Sequence, residues 1–328
     1  MRYNILGQTG LSVSQLGFGC GSTGGILLRA EYPAMRQVVA RAIELGVNYF
    51  DTASYYGSGQ SEVNLGAVLR DLGANVIVGS KARPPGSEMA DMRGAIIRSV
   101  EASLRRLGRS HIDLIQFHNR MARQSQPERD VAAFSDLDAV LSAFATLQQQ
   151  GKIRYWGLAG QAASDVLHEA VAGGGFQSIQ LPYNLINPSA GEVVPQSFPF
   201  QNYAQLIDHA AQQHMGVIAF RILAGGALSG VTERHPVANP VVDAIASELD
   251  YASDVARARR YSFLVEDGSA GSLVEAAIRF AVSKPGISTA ILGISSQEQL
   301  EQAVEFVERG PLPAAVLQRI RATWSQTD

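Results

Sequence analysis

Asp51, Tyr56, Lys81 and His118 are the residues of this chain whose types and positions could do chemistry together. Three short apolar runs deliver three of them. Asn48-Tyr49-Phe50 ends on Asp51, Val76-Ile77-Val78 leads to Lys81, and Ile112 to Phe117 leads to His118. Neighbouring strands of a sheet lie about 4.8 Å apart. If the three runs are adjacent parallel strands, Asp51 and Lys81 fall within salt-bridge reach, with His118 one strand further on. Tyr56 follows Asp51 closely enough to fold back over the same corner. A carbonyl that accepts a hydride becomes an alkoxide and needs a proton. A phenol, with an ordinary pKa of about 10, is a poor acid near neutrality. An adjacent ammonium favours the phenolate and lowers that value. Lys81 can supply the charge, and Asp51 can hold Lys81 charged and oriented. His118 can donate a hydrogen bond to the carbonyl oxygen. Any one of these residues alone reads as structural or solvated; four convergent types read as a site.

Such a corner needs a frame, and the chain supplies one. Short β-branched runs alternate with amphipathic helices. Leu16 to Gly19 precedes a helix with Met35, Val38, Ala42 and Leu45 on one face. The Asp51 run precedes one with Leu65, Val68, Leu69 and Leu72. The Lys81 run precedes one with Ile97, Val100, Leu104 and Leu107, and the His118 run one with Leu137, Val140, Leu141 and Phe144. Tyr155 to Leu158 precedes Val166, Leu167 and Ala170, and Ser178 to Leu181 precedes Tyr203, Leu206 and Ala210. Val217 to Phe220 precedes Leu273, Ala277 and Phe280, and Thr289 to Leu292 precedes Leu300, Ala303, Val304 and Val307. Eight such units predict an α/β fold closed as a (β/α)8 TIM barrel, one domain over residues 1–328. Functional side chains of that fold gather at the strand C-termini. Tyr3 to Leu6 and Leu11 to Ser14, split by Gly-Gln-Thr-Gly, predict an N-terminal β-hairpin plugging the opposite end. Residues 22–34, 120–135, 182–201 and 224–271 are long loops expected to shape the pocket. Leu312 to Trp324 predicts a closing outer helix.

Composition narrows the class. Hydrophobic residues make up 46% and charged residues 17% of 328, enough apolar mass for a large core. The net charge is −3 with no basic run, which argues against a nucleic-acid partner. No apolar run approaches the ~20 residues that span a bilayer, and the N-terminus lacks a signal-like apolar core. The lone cysteine, Cys20, fits a reducing compartment. A cytoplasmic protein with no membrane association is the expectation. His111, His168, His209, His214 and His235 lack zinc-ligand spacing, so no metal is expected. Gly19-Cys20-Gly21-Ser22-Thr23-Gly24 is a literal G-x-G-x-x-G, but the next helix begins well after the glycines, unlike a Rossmann phosphate loop.

Asp51-Thr52-Ala53-Ser54-Tyr55-Tyr56-Gly57, continued by Ser58-Gly59-Gln60-Ser61-Glu62, closely resembles the aldo-keto reductase signature, in the style of the longer-loop members that include the potassium-channel β subunits. The resemblance runs the length of the chain, through Gly151-Lys152-Ile153-Arg154 and Gly293 to Leu300. It implies a catalytic tetrad of Asp51, Tyr56, Lys81 and His118, with Tyr56 as proton donor. It implies a nicotinamide cofactor contacted by Cys20, Gly21, Asp51 and Gln180 at the ring end. Phe220, Arg221, Leu223 and Gly225 follow along the middle, and Gly293, Ser295 and Gln299 at the adenosine end. Ala159-Gly160 stands where the family carries Ser-Asn or Ser-Arg, which leaves Gln180 to hold the carboxamide nearly alone. Arg221 departs from the family pattern and fits either a pyrophosphate contact or a surface ion pair. NADP(H) is favoured on family grounds, with NAD(H) possible. The implied substrate is a small carbonyl or alcohol; oligomeric state is open. The alternative is a nucleotide-sensing regulatory or binding subunit of the same fold.

Overall fold

The computed structural model describes residues 1–242 and 250–324, so part of the connection 224–271 lies outside the described residues. Eight parallel strands close into a barrel. They are β1 (Leu16–Gly19), β2 (Tyr49–Asp51), β3 (Ile77–Ala82), β4 (Ile112–Phe117), β5 (Ile153–Ala159), β6 (Ser178–Pro182), β7 (Gly216–Phe220) and β8 (Ile287–Gly293). The helices that follow them are α1 (Tyr32–Glu44), α2 (Gln60–Leu72), α3 (Met92–Leu107), α4 (Leu137–Gln149), α5 (Ser164–Ala172), α6 (Leu206–Gln212), α7 (Leu273–Ser283) and α8 (Gln297–Glu308). The strand order is the chain order, with β8 pairing back onto β1 through Leu292 opposite Phe18. Each crossover helix buries its apolar stripe on the barrel, as α3 does with Ile96, Val100, Leu104 and Leu107. Asp91, Ser272 and Ser296 cap α3, α7 and α8 by accepting backbone N–H bonds of the first turn.

The hairpin Tyr3–Ile5 with Ser12–Ser14 plugs the N-terminal end. Leu6, Leu11 and Val13 fill the lower interior with Tyr49, Leu114, Ile218 and Ile291. Gly7 sits at φ 51°, where a Cβ would come 2.1 Å from Gly216 N, so only glycine lets the hairpin press this close. With the bottom sealed by apolar side chains, Asp51 and Lys81 stand at the opposite ends of their strands.

Two local readings are corrected. The sixth helix starts at Leu206, and Tyr203 stands before it, because Ala204 and Gln205 take left-handed φ values of 48° and 58°. That helix ends at Gln212, and its His209 stacks on His168 of α5, with their Nδ1 atoms 2.8 Å apart. Segment 182–201, expected to shape the pocket, supplies none of the residues lining it and meets the closing helix Ala314–Trp324, where Trp324 Nε1 donates to Leu185 O and Arg321 pairs with Glu192.

Candidate active site

β2 and β3 deliver Asp51 and Lys81 to one buried corner. Lys81 Nζ donates to Asp51 Oδ1 and, at 2.8 Å, to the Thr52 carbonyl. The second carboxylate oxygen accepts from Gln180 Nε2 at 2.6 Å and Tyr49 Oη at 3.2 Å. Both partners of the ion pair are nearly sealed from solvent. Burial alone would lower the lysine pKa, but Asp51 and Tyr56 overcome it and hold Lys81 charged above its ordinary range.

Tyr56 reaches the same corner through a strained turn. Gly57, Ser58 and Gly59 follow it with φ of 56°, 54° and 93°, a run that L side chains rarely adopt. Thr52 Oγ1 lies 2.9 Å from Ser61 Oγ, which donates at 2.9 Å to the Cys20 carbonyl, so the turn is tied to β1 and α2. The Lys81 ammonium lies 5.0 Å from the centre of the Tyr56 ring. The phenol was expected to be acidified by this charge; it is pushed up to about 12. Burial outweighs Lys81, and Asp51 offsets part of the lysine's field.

His118 follows β4 and closes the corner. Its ring sits 5.2 Å from that of Tyr55, which in turn lies 5.1 Å from Tyr56. Burial first, then Lys81 and Arg83, push its pKa down to about 2, so the imidazole is neutral at working pH. Its Nδ1 is buried without a hydrogen-bond partner among the described residues. Cys20 is buried and its thiol is raised well above its ordinary value by burial and Asp51, which makes it a poor nucleophile.

A cleft of about 550 Å³ runs from this corner across the barrel top. Tyr55, Tyr56, His118 and Gln180 line one end; Ser295, Gln299 and Ala303 line the other, at the N-terminus of α8. Phe220, Arg221, Leu223 and Gly225 lie between, and Gly19, Gly21 and Gly293 also line it. Cys20 is not on the cleft wall but behind it. Gly21 is backed by the Tyr56 ring, where a Cβ would stand 3.3 Å from Cε2. At the far end Ser295 Oγ donates to Gly24 O at 2.7 Å, and Ser295 N to Gln299 Oε1 at 3.1 Å. These bonds fix loop 21–25 against the start of α8, a helix end suited to an anion.

Gln180 is placed differently from the simple expectation. One of its amide hydrogens is committed to Asp51, so it braces the carboxylate as well as facing the cleft. Arg221 lies at φ 57° with its Cζ 5.4 Å from the centre of the Phe220 ring. It lines the cleft, where burial, ahead of its charged and phenolic neighbours, holds the guanidinium below the usual arginine range. The middle of the cleft is bridged by residues that the sequence reading missed. Arg234 donates to Gly225 O at 2.7 Å, Asn239 O at 2.7 Å and Thr23 O at 3.4 Å, and Arg29 donates to Val237 O at 2.7 Å. Together they strap segment 234–239 to loop 22–25. Glu62, noticed only as part of a motif, is fully buried and pairs with Arg106 at 2.6 Å and Ser80 at 2.5 Å, locking α2 to α3 and β3.

The aldo/keto reductase family profile matches residues 15–325. The chain belongs to the aldo/keto reductase family. A Schizosaccharomyces pombe protein with the provisional name voltage-gated potassium channel subunit beta is 28% identical over 97% of this chain and 92% of its own length. L-galactose dehydrogenase of Arabidopsis thaliana is 27% identical over 92% of this chain and 86% of its own length. Among solved structures, aldo-keto reductase AKR11C1 from Bacillus halodurans, in its holo form, superposes with a TM-score of 0.71 at 23% identity, covering 100% of this chain and 97% of that one. That likeness supports the barrel fold. Among the described residues, no helix is long and apolar enough to cross a membrane, and no cluster of three or more His, Cys, Asp or Glu could hold a metal.

Proposed function

We propose that this member of an oxidoreductase family interconverts a small carbonyl compound and its alcohol, with NADP(H) favoured over NAD(H). The observation that carries this reading is the sealed Asp51–Lys81 pair set beside Tyr56, with a neutral His118 at the same end of the cleft. The cleft fits the cofactor: it is long, glycine-lined and ends at the N-terminus of a 12-residue helix. Gly293 is packed tightly there, since a Cβ would lie 3.0 Å from Gly24 N. Gln180 and Phe220 would hold the nicotinamide end; Ser295 and Gln299 would hold the adenosine end. When bound, the reduced cofactor supplies a hydride to the carbonyl carbon.

The chain's own residues do the rest. His118, neutral, donates a ring N–H to the carbonyl oxygen and fixes its place. Tyr56 hands its phenolic proton to that oxygen as charge develops there. A pKa of about 12 keeps the phenol fully protonated at neutral pH, and an alkoxide is basic enough to take the proton. Lys81 stabilises the phenolate left behind, and Asp51, braced by Gln180, keeps Lys81 charged. Alcohol oxidation runs the same transfers backwards.

A nucleotide-sensing regulatory or binding role would not require this complete acid–base set. The deciding experiment mixes the purified protein with NADPH or NADH and a panel of aldehydes, ketones and sugars, in both directions. Oxidation of NADPH that depends on the carbonyl supports the reading; none across the panel contradicts it. Fluorescence titration should give a modest NADPH preference, since Ser295 and Gln299 offer a 2′-phosphate only neutral donors. A clear preference for NADH would show the adenosine end to be misassigned.

A further inference from the structure

Two glutamines on neighbouring strands line the cleft. Gln180 stands on β6, and Gln161 comes two residues past Ala159, its register partner on β5. The two strand ends are tied by Gly160 N, which donates to Gln180 O at 2.8 Å. A side chain at position 160 is excluded, because a Cβ would stand 2.6 Å from that same carbonyl oxygen. Ala159 is buried and apolar. Gln161 is therefore the first residue past β5 able to bring a polar side chain to the cleft. Its backbone is fixed: Gln161 N donates to Ala159 O at 2.8 Å, and Gln161 O accepts from Met121 N at 2.9 Å. The next carbonyl, Ala162 O, accepts from Gln201 Nε2 at 2.8 Å.

The amide of Gln161 is half-buried on the cleft wall and makes no hydrogen bond among the described residues. Such a group gains most from a ligand that completes its hydrogen bonds. The polarity of Gln180 is settled by Asp51. A carboxylate ion-paired with Lys81 only accepts, so Gln180 Nε2 must face it, at 2.6 Å. Gln180 Oε1 is then the atom left to accept from the cleft. Gln161 is held by no such partner and is free to turn its Nε2 to the cleft as a donor. One strand end thus offers an acceptor and its neighbour a donor, the complement of the N–H and C=O of a primary carboxamide.

We propose that Gln161 is a second anchor for the nicotinamide carboxamide, its Nε2 donating to the amide oxygen while Gln180 Oε1 accepts from the amide nitrogen. This inference rests on the oxidoreductase reading above and deepens it. The test titrates three ligands into the full chain by calorimetry. They are NADP⁺, its 3-acetylpyridine analogue, in which a methyl group replaces the amide nitrogen, and 2′-phospho-ADP-ribose, which has no ring. Wild type should bind NADP⁺ more tightly than the analogue, since Gln180 Oε1 then loses its donor. Gln161→Leu should weaken NADP⁺ and the analogue alike, about three- to tenfold each, the loss expected for one neutral hydrogen bond. It should leave 2′-phospho-ADP-ribose unchanged, which also reports that the variant is folded. Equal weakening of all three ligands, or of none, overturns the inference. A loss for NADP⁺ alone overturns it as well, because the donor would then not be acting on the oxygen. In turnover with NADPH and an aldehyde, Gln161→Leu should raise the KM for NADPH, and a change confined to the aldehyde KM would contradict the assignment. Failure of wild type to bind any of the three would instead sink the oxidoreductase reading, so the two failures are distinguishable.

Discussion

At the scale of single residues, the corner depends on a lysine that is buried and charged at once. Asp51 is what makes that tolerable. Asp51→Ala should leave an uncompensated buried ammonium and cost about 3–5 kcal/mol of stability, measured by urea denaturation. A loss below about 1 kcal/mol would mean that the Thr52 carbonyl and Tyr56 suffice to hold Lys81. Asp51, Lys81 and His118 were legible in the sequence because each lies at or just past the end of a strand, where period and position fix where a side chain goes. The behaviour of Tyr56 was less so. Its neighbours were visible, but the degree of burial that outweighs Lys81 is a tertiary property. Arg221 shows the same limit. Its type was evident, while its direction was set by a backbone at φ 57° that no local pattern encodes.

At the scale of elements, close approach decides which residues are tolerated. Gly66 faces α3 from α2, and a Cβ there would stand 2.2 Å from the Leu107 carbonyl oxygen. Backbone cannot yield as a flexible side chain would, so Gly66→Ala should push the helices apart and cost about 1–3 kcal/mol. A thermal melt coincident with wild type would contradict that packing. The strand–helix alternation was legible because apolar periodicity survives in every unit. The start of α6 was not, because consecutive left-handed residues at Ala204 and Gln205 break the helix before an otherwise continuous apolar pattern. The strap held by Arg234 and Arg29 left no sequence signal either, since its bonds run from guanidinium groups to backbone carbonyls far away in the chain.

At the scale of the whole molecule, the site taxes the fold under acid. His118 is held neutral down to about pH 2 in the folded chain, whereas an unfolded histidine protonates near pH 6.5. Between those values the unfolded state binds the extra proton. Stability from this group is therefore fully present above about pH 6.5 and falls on acidification, by up to about 1.4 kcal/mol per pH unit. His118→Leu should flatten the dependence of stability on pH between about pH 6 and 4 by roughly that slope; superimposable profiles would argue against a neutral buried imidazole. The barrel thus accepts strain at Ser58, a buried ion pair and an acid-sensitive histidine to assemble one corner, whose proposed role is turnover. Tyr56→Phe and Tyr55→Phe, assayed with NADPH and a neutral aldehyde and titrated with NADPH alone, test this most directly. Tyr56→Phe should lose about 10²–10⁴-fold in kcat with cofactor affinity largely kept, while Tyr55→Phe stays within a few-fold of wild type. Near-full activity in Tyr56→Phe, with loss in Tyr55→Phe, would contradict the account.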